Sequence, residues 1–321
     1  MEWTPLIITV APNGARKTHQ DHPALPMTAD EIARDAVACR DAGAAMLHLH
    51  VRDQDGAHTL DIDLYRDAMV AVRDAVGDEL IIQVTTEAVG HYTPDEQIAL
   101  VRKLHPEAAS VALKELTADG DAKAAAFYLW AHDEGIALQH ILYTPEEVAR
   151  LADLVHQDLV PCDNLSVLYV LGRYGDGESQ PGDLLPFLSA ARDHNLHPKL
   201  WSVCAFGAGE GAVALAALSL GGHVRVGFEN NLYLNTKMIA PDNAALVGQV
   251  ADGAHLIARP LCQAAEARAL MGAMGPGGEG ERDSRDQAAK ENGTRLHLVT
   301  QSRDLAPNQL NLMTSHDNIG R

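Results

Sequence analysis

Aromatic residues are scarce in this chain, at 4% of 321 positions, while hydrophobic residues reach 46%. Much of that apolar content is alanine, which suits closely packed helices and still allows a sizeable core. Basic residues are also few: 25 against 44 acidic ones, a formal charge of -19. Such a surface repels nucleic acid and anionic membrane, so neither is expected as a partner, and an anionic ligand must find a local positive site. Cysteine is limited to Cys39, Cys162, Cys204 and Cys262, far apart and with no CxxC pair. That excludes a disulfide scaffold and points to a reducing compartment. No apolar run reaches the roughly 18 residues of a membrane helix. The opening Met1-Glu2-Trp3-Thr4-Pro5 has no basic region followed by an apolar run. The expectation is a soluble, cytoplasmic protein.

What the chain does have is alternation. An apolar strand over residues 6–10 is followed by a helix that opens on a capping box, Thr28 with Glu31, and closes near Gly43. Strands follow at 46–53, 80–85, 109–113, 137–142, 165–170, 200–204 and 223–227, each leading into a helix. Two of those helices open on further boxes with proline at the first helical position, Thr93-Pro94-Asp95-Glu96 and Thr144-Pro145-Glu146-Glu147. Eight strand–helix units in strict alternation make an α/β protein, a (β/α)8 TIM barrel over residues 1–274. A doubly wound open sheet is the alternative, but no GxGxxG follows the first strand and no P-loop is present. From Gly275 the texture turns polar and glycine-rich, and residues 275–321 read as a flexible C-terminal extension.

The second strand carries the chemistry. In Met46-Leu47-His48-Leu49-His50-Val51-Arg52 the two histidines share one face of a strand, and the leucines take the other. Two imidazoles side by side at a strand end suit a divalent metal such as zinc; a pair of satisfied core histidines is the bland alternative. Barrel active sites lie at C-terminal strand ends. The polar residues gathered there are Asn13 and Arg16, Thr85 with Thr86 and Glu87, Ser110 with Lys114 and Glu115, and Arg225 with Glu229-Asn230-Asn231. Singly, each has a dull reading: strand threonines, a solvated Glu87, a loop ion pair of Lys114 with Glu115. Arg225, inside Val224-Arg225-Val226, demands an anionic partner. Glu229 could be the third ligand that two histidines lack. His223, at the start of the last strand, belongs to the far, stability face.

Several stretches together resemble the β-keto acid cleavage enzymes, the family of 3-keto-5-aminohexanoate cleavage enzyme. They are Thr9-Val10-Ala11-Pro12-Asn13-Gly14-Ala15, Pro23-Ala24-Leu25-Pro26, His48-Leu49-His50-Val51-Arg52, Gln83-Val84-Thr85-Thr86, the run from Gly221 to Glu229, and Asp242-Asn243-Ala244. The resemblance implies a zinc-dependent barrel, assembled as a homotetramer, that converts a β-keto acid and acetyl-CoA into a new acyl-CoA and acetoacetate. It implies zinc on His48, His50 and Glu229, hydroxyls of Thr85 and Ser110 near substrate, and Arg225 in support of the catalytic base.

The chain departs from the family in four places. The family's base aspartate corresponds to Asn230, and an amide cannot abstract a proton at neutral pH. A first-loop glutamate becomes Arg16, a glycine becomes Glu87, and a Gly-Arg pair becomes Gly207-Ala208. We therefore expect Glu87 as the base, Glu115 as second candidate, and Asn230 as a hydrogen-bond donor. Arg16, with Asn13 and Glu115, is expected to contact substrate and to favour an anionic or polar tail. Two other classes stay open: a metal-dependent aldol-type lyase or hydrolase, and a non-catalytic metal-binding relative.

Overall fold

Helix starts are written locally and are found where the caps stand. Thr28 and Thr93 each accept from the backbone N–H three residues on, and Glu31 and Glu96 reach back in return. They open α1 (Ala29–Asp41) and α3 (Pro94–Leu104). Asp61 caps α2 (Ile62–Val76). Thr144 caps α6 (Pro145–His156), but that box is half made: Glu147 Oε2 takes the N–H of Tyr143 at 2.8 Å. The computed structural model describes residues 3–173, 178–235 and 237–275. The other helices are α4 (Leu113–Leu116), α5 (Asp121–Asp133), α7 (Leu185–Asp193), α8 (Glu210–Ser219), α9 (Asn243–Leu256) and α10 (Ala264–Met271). Among the described residues no helix is long and apolar enough to cross a membrane.

Eight strands close into one parallel barrel: β1 (Ile8–Val10), β2 (Met46–Leu49), β5 (Ile81–Thr85), β6 (Ala108–Ala112), β7 (Ala137–Leu142), β8 (Ser166–Leu171), β9 (Leu200–Ala205) and β10 (His223–Val226). Thr9 closes the ring, opposite Arg225 on one side and Met46 on the other. Covered by helices outside and filled inside, the strands are buried on both faces, which explains their unbroken apolar runs. The fold is the (β/α)8 TIM barrel expected from the alternation. At the N-terminal end, Ile7, Met46, Ile81, Ala108 and Leu200 pack with Ala264, Ala267 and Met271 of α10. So α10, which the sequence reading did not anticipate, closes the bottom. Arg259 is fully buried there and donates to the carbonyls of Thr4, Leu218 and Gly222. His223 lies at this end too, its Nδ1 accepting from Ile7 N at 3.0 Å.

Two boundaries differ from expectation. The stretch 46–53 is not one strand: β2 stops at Leu49, the chain leaves the barrel at His50, and β3 (Val51–Arg52) pairs antiparallel with β4 (His58–Thr59). Asp53 drives the turn by accepting from the backbone of Asp55 and Ala57, with Gly56 at φ +79°. The fourth barrel strand ends at Ala112, and Leu113 already begins α4, so Lys114 and Glu115 stand on a helical turn. Beyond Gly275, the expected tail lies outside the described residues.

Candidate active site

Gly227 sets the position of Glu229. Its φ is +142°, and a Cβ there would stand 2.4 Å from the carbonyl oxygen of Ala11. Glycine lets the exit of β10 press against the end of β1, where Glu229 N donates to Ala11 O at 3.0 Å. From the first loop Lys17 Nζ donates to Glu229 O at 2.7 Å. Arg225, buried on β10, donates through Nη2 to Glu229 Oε1 at 3.0 Å and to Cys204 Sγ at 3.4 Å. The partner of Arg225 is thus this carboxylate, not a base. Burial alone would raise Glu229, but Arg225, with His50 and His48, holds it well below the usual carboxylate range.

The other oxygen, Glu229 Oε2, is buried and accepts no hydrogen bond. It faces His48 Nε2 at 3.6 Å and His50 Nε2 at 3.4 Å, and those nitrogens are 3.1 Å apart. A triangle with these sides has a point about 2 Å from every corner, the length of Zn–N and Zn–O bonds. The three atoms therefore fit one tetrahedral ion with a position left for water or substrate. Burial, with Arg225 nearby, lowers His48 well below its ordinary value, so it stands ready as a neutral ligand. His48 Nδ1 meets Gln83 Oε1 at 2.9 Å. Gln83 in turn donates to Gln139, and Gln139 to Ser166 and Ser202, a buried polar floor under the site.

Above that floor lies a cavity of about 430 Å³. His48, Glu229, Arg225, Thr85, Ser110 and Glu87 are among the residues that line it. Ser110 Oγ is buried and without a hydrogen bond, so a ligand can use it; Thr85 Oγ1 accepts from Glu87 N at 3.2 Å. Glu87 Oε2 is 3.9 Å from His50 Nδ1, and burial raises its carboxyl above the ordinary range. Glu115 also lines the cavity, but its Oε2 holds Gln97 Nε2 at 2.7 Å and Ala88 N at 3.2 Å. It braces the loop that carries Glu87. Lys114 does not pair with it at close range; its Nζ sits 3.8 Å above the Tyr143 ring. Arg16, Lys114 and Arg173 are exposed and line the same cavity.

Two expected residues stand elsewhere. Asn13 is fully buried, and its Nδ2 donates to the carbonyls of Pro26 and His50. It props the chain at His50 instead of lining the cavity. Asn230 is buried as well and is not among the lining residues, yet neither atom of its amide finds a partner. An unpaired buried amide costs about 1–3 kcal/mol per group, so its place calls for an explanation.

Three residues support the site: Arg52, which the sequence places at the end of the histidine strand without a role, and Glu210 and His58, which it does not single out. Arg52 is buried and holds the carbonyls of Asn13, Ala15 and Lys17, shaping the loop that presents Arg16. Glu210, at the start of α8, accepts from Gly227 N and Asn231 Nδ2 at 3.2 Å each and so clamps the Glu229 turn at both ends. His58 comes back beneath His50 on the hairpin; burial, with His50 and Arg52 nearby, lowers it to about 3. The one local signal for that hairpin is the Asp55-Gly56 pair in its loop, with strands of two residues too short to show a period.

Known proteins resemble this chain along the whole barrel. The family model described as beta-keto acid cleavage enzyme matches residues 5–273. A 3-keto-5-aminohexanoate cleavage enzyme from Acetoanaerobium sticklandii is 32% identical over 83% of this chain and 98% of its own. The 3-oxoadipate:acetyl-CoA acetyltransferase of Cupriavidus necator is 28% identical over 84% of this chain and 95% of its own. Among solved structures, ObcA in binary complex with oxaloacetate superposes with a TM-score of 0.65 at 18% identity, over 79% of this chain and 68% of that one, which speaks for the fold alone. With a matching model across the whole barrel and a relative this similar over nearly its full length, the chain belongs to the β-keto acid cleavage enzyme family.

Proposed function

We propose that the protein is a zinc-dependent transferase that takes a β-keto acid and acetyl-CoA to a new acyl-CoA and acetoacetate. The observation that carries this reading is the convergence of His48 Nε2, His50 Nε2 and Glu229 Oε2 beside a cavity that His48 and Glu229 line. With no hydrogen on either Nε2, these three atoms would repel one another unless a cation stood between them. The names of relatives, 3-oxoadipate:acetyl-CoA acetyltransferase among them, support the co-substrate. The homotetramer and the cytoplasmic setting belong to the same reading.

When bound, zinc supplies a Lewis acid beside the substrate's keto and carboxylate oxygens. His48, His50 and Glu229 would hold it, with Arg225 fixing the carboxylate. Glu87 takes the proton from the carbon between keto group and carboxylate; its raised proton affinity suits that task near neutral pH. The carbanion bonds to the acetyl carbonyl of acetyl-CoA and CoA thiolate leaves. The thiolate then adds to the original keto carbon, the old carbon–carbon bond breaks, and the acetoacetate carbanion recovers the proton from Glu87. Ser110 and Thr85, which line the cavity, orient the substrate, while Asn230, expected as a donor to a developing oxyanion, stands off the cavity wall and takes no part in this scheme. Arg16, Lys114 and Arg173 give the cavity a positive rim for anionic reactants.

The test is incubation with acetyl-CoA and a panel of β-keto acids, assayed for acetoacetate. Acetoacetate that depends on both reactants supports the reading. Cleavage without acetyl-CoA would make the protein a hydrolase or lyase, and no turnover with any keto acid would leave a binding protein.

A further inference from the structure

His58 has no place in the proposed chemistry, yet its setting is well defined. Its register is fixed by pairing with Arg52 across the β3–β4 hairpin. It is buried, with an exposure of 9%. Its two ring nitrogens meet different partners. Nε2 is 3.0 Å from the backbone oxygen of Glu87, and Nδ1 is 3.4 Å from Nδ1 of His50.

A carbonyl oxygen only accepts, and a neutral imidazole has a single N–H. The Glu87 carbonyl therefore draws the hydrogen of His58 to Nε2 and leaves Nδ1 bare. The hydrogen between the two rings must then sit on His50 Nδ1. That leaves the lone pair of His50 at Nε2, the atom that faces His48 Nε2 at 3.1 Å and Glu229 Oε2 at 3.4 Å. His48 reaches the same state by another route, with Gln83 Oε1 accepting at its Nδ1. Partners of this kind orient a ligating histidine and strengthen it.

We propose that His58 is a positioning residue that selects the His50 tautomer and so makes its Nε2 available to a metal ion. Because its other nitrogen binds the Glu87 backbone, the same ring ties the metal ligand to the loop of the proposed base. The inference rests on the zinc reading for its consequence, but the tautomer itself is a property of the metal-free protein.

The experiment therefore has two arms. Nitrogen NMR of the histidine rings in the metal-free protein, assigned with single variants, should show His50 protonated at Nδ1 and His58 at Nε2. His50 protonated at Nε2 would overturn the proposal, whether or not zinc binds. In the second arm zinc affinity is measured by chelator competition, with folding checked by circular dichroism. His58→Phe keeps a ring but no acceptor and should weaken zinc about 10–100-fold. His58→Asn keeps an acceptor at the Nδ1 position and should return to within about threefold of wild type. A folded His58→Phe protein with wild-type affinity would also overturn the proposal. If His58→Phe does not fold, the His58→Asn affinity and the NMR tautomers decide. Wild-type protein that takes up no zinc would sink the metal reading alone, since the NMR arm still reads the relay.

Discussion

A carboxylate that gives one oxygen to an arginine still has the other to offer, and Glu229 is built that way. Arg225 fixes Oε1, and Oε2 is left to the histidines. His48→Ala or His50→Ala should each abolish stoichiometric zinc, read by metal analysis of purified protein; full occupancy in the double variant would refute the ligand set. Glu87 is a separate matter, because it lines the cavity without belonging to the triangle. Glu87→Gln should lose roughly a hundredfold in turnover with zinc retained, the usual worth of a general base. Near-normal turnover would pass the role to Glu115. Arg16 governs selection instead of chemistry. Charge reversal in Arg16→Glu should lower kcat/KM for a dicarboxylic β-keto acid by about tenfold and favour an amino-bearing one. Equal effects on both substrates would show that Arg16 does not read the tail.

Among the elements, the barrel strands were legible because each is a local apolar run, and several lead to a helix opened by a side-chain cap, as at Thr28, Thr93 and Thr144. The hairpin of β3 and β4 was not, since two residues per strand carry no period. The sequence makes the histidine pair strand neighbours, and the rings do converge, but His50 stands between β2 and β3, where Asn13 holds its carbonyl. Lys114 and Glu115 look like a surface pair in sequence. Only the helical turn of α4 separates them, one over Tyr143 and one toward Gln97. Helix α8 shows a dependence of another kind. Burial raises Glu210 to about 8, with Asn231, Gly227 and Lys17 opposing. An unfolded glutamate titrates at about 4.3. Between those values the folded chain binds a proton that the unfolded chain has lost, so this group's contribution to stability falls as pH rises through the window. Thermal melts in chelator should show Glu210→Gln gaining on wild type from about pH 5 to pH 8. Parallel curves would place the titration elsewhere.

For the molecule as a whole, the charge of -19 and the positive rim of the cavity point the same way: anions are kept off the surface and admitted at one mouth. The composition made that rim a requirement without locating it, because Arg16, Lys114 and Arg173 stand far apart in the chain, Lys114 on the helical turn of α4 and the others outside helix and strand. The central claim is that the acetyl group of acetyl-CoA ends in acetoacetate and that CoA passes to the substrate's own acyl fragment. The most direct measurement is to supply acetyl-CoA labelled in both acetyl carbons with an unlabelled β-keto acid and locate the label by mass spectrometry. The account predicts two labelled carbons in acetoacetate, none in the new acyl-CoA, and loss of both products on zinc removal with recovery on readdition. Unlabelled acetate from the keto acid, with the label still on acetyl-CoA, would contradict it.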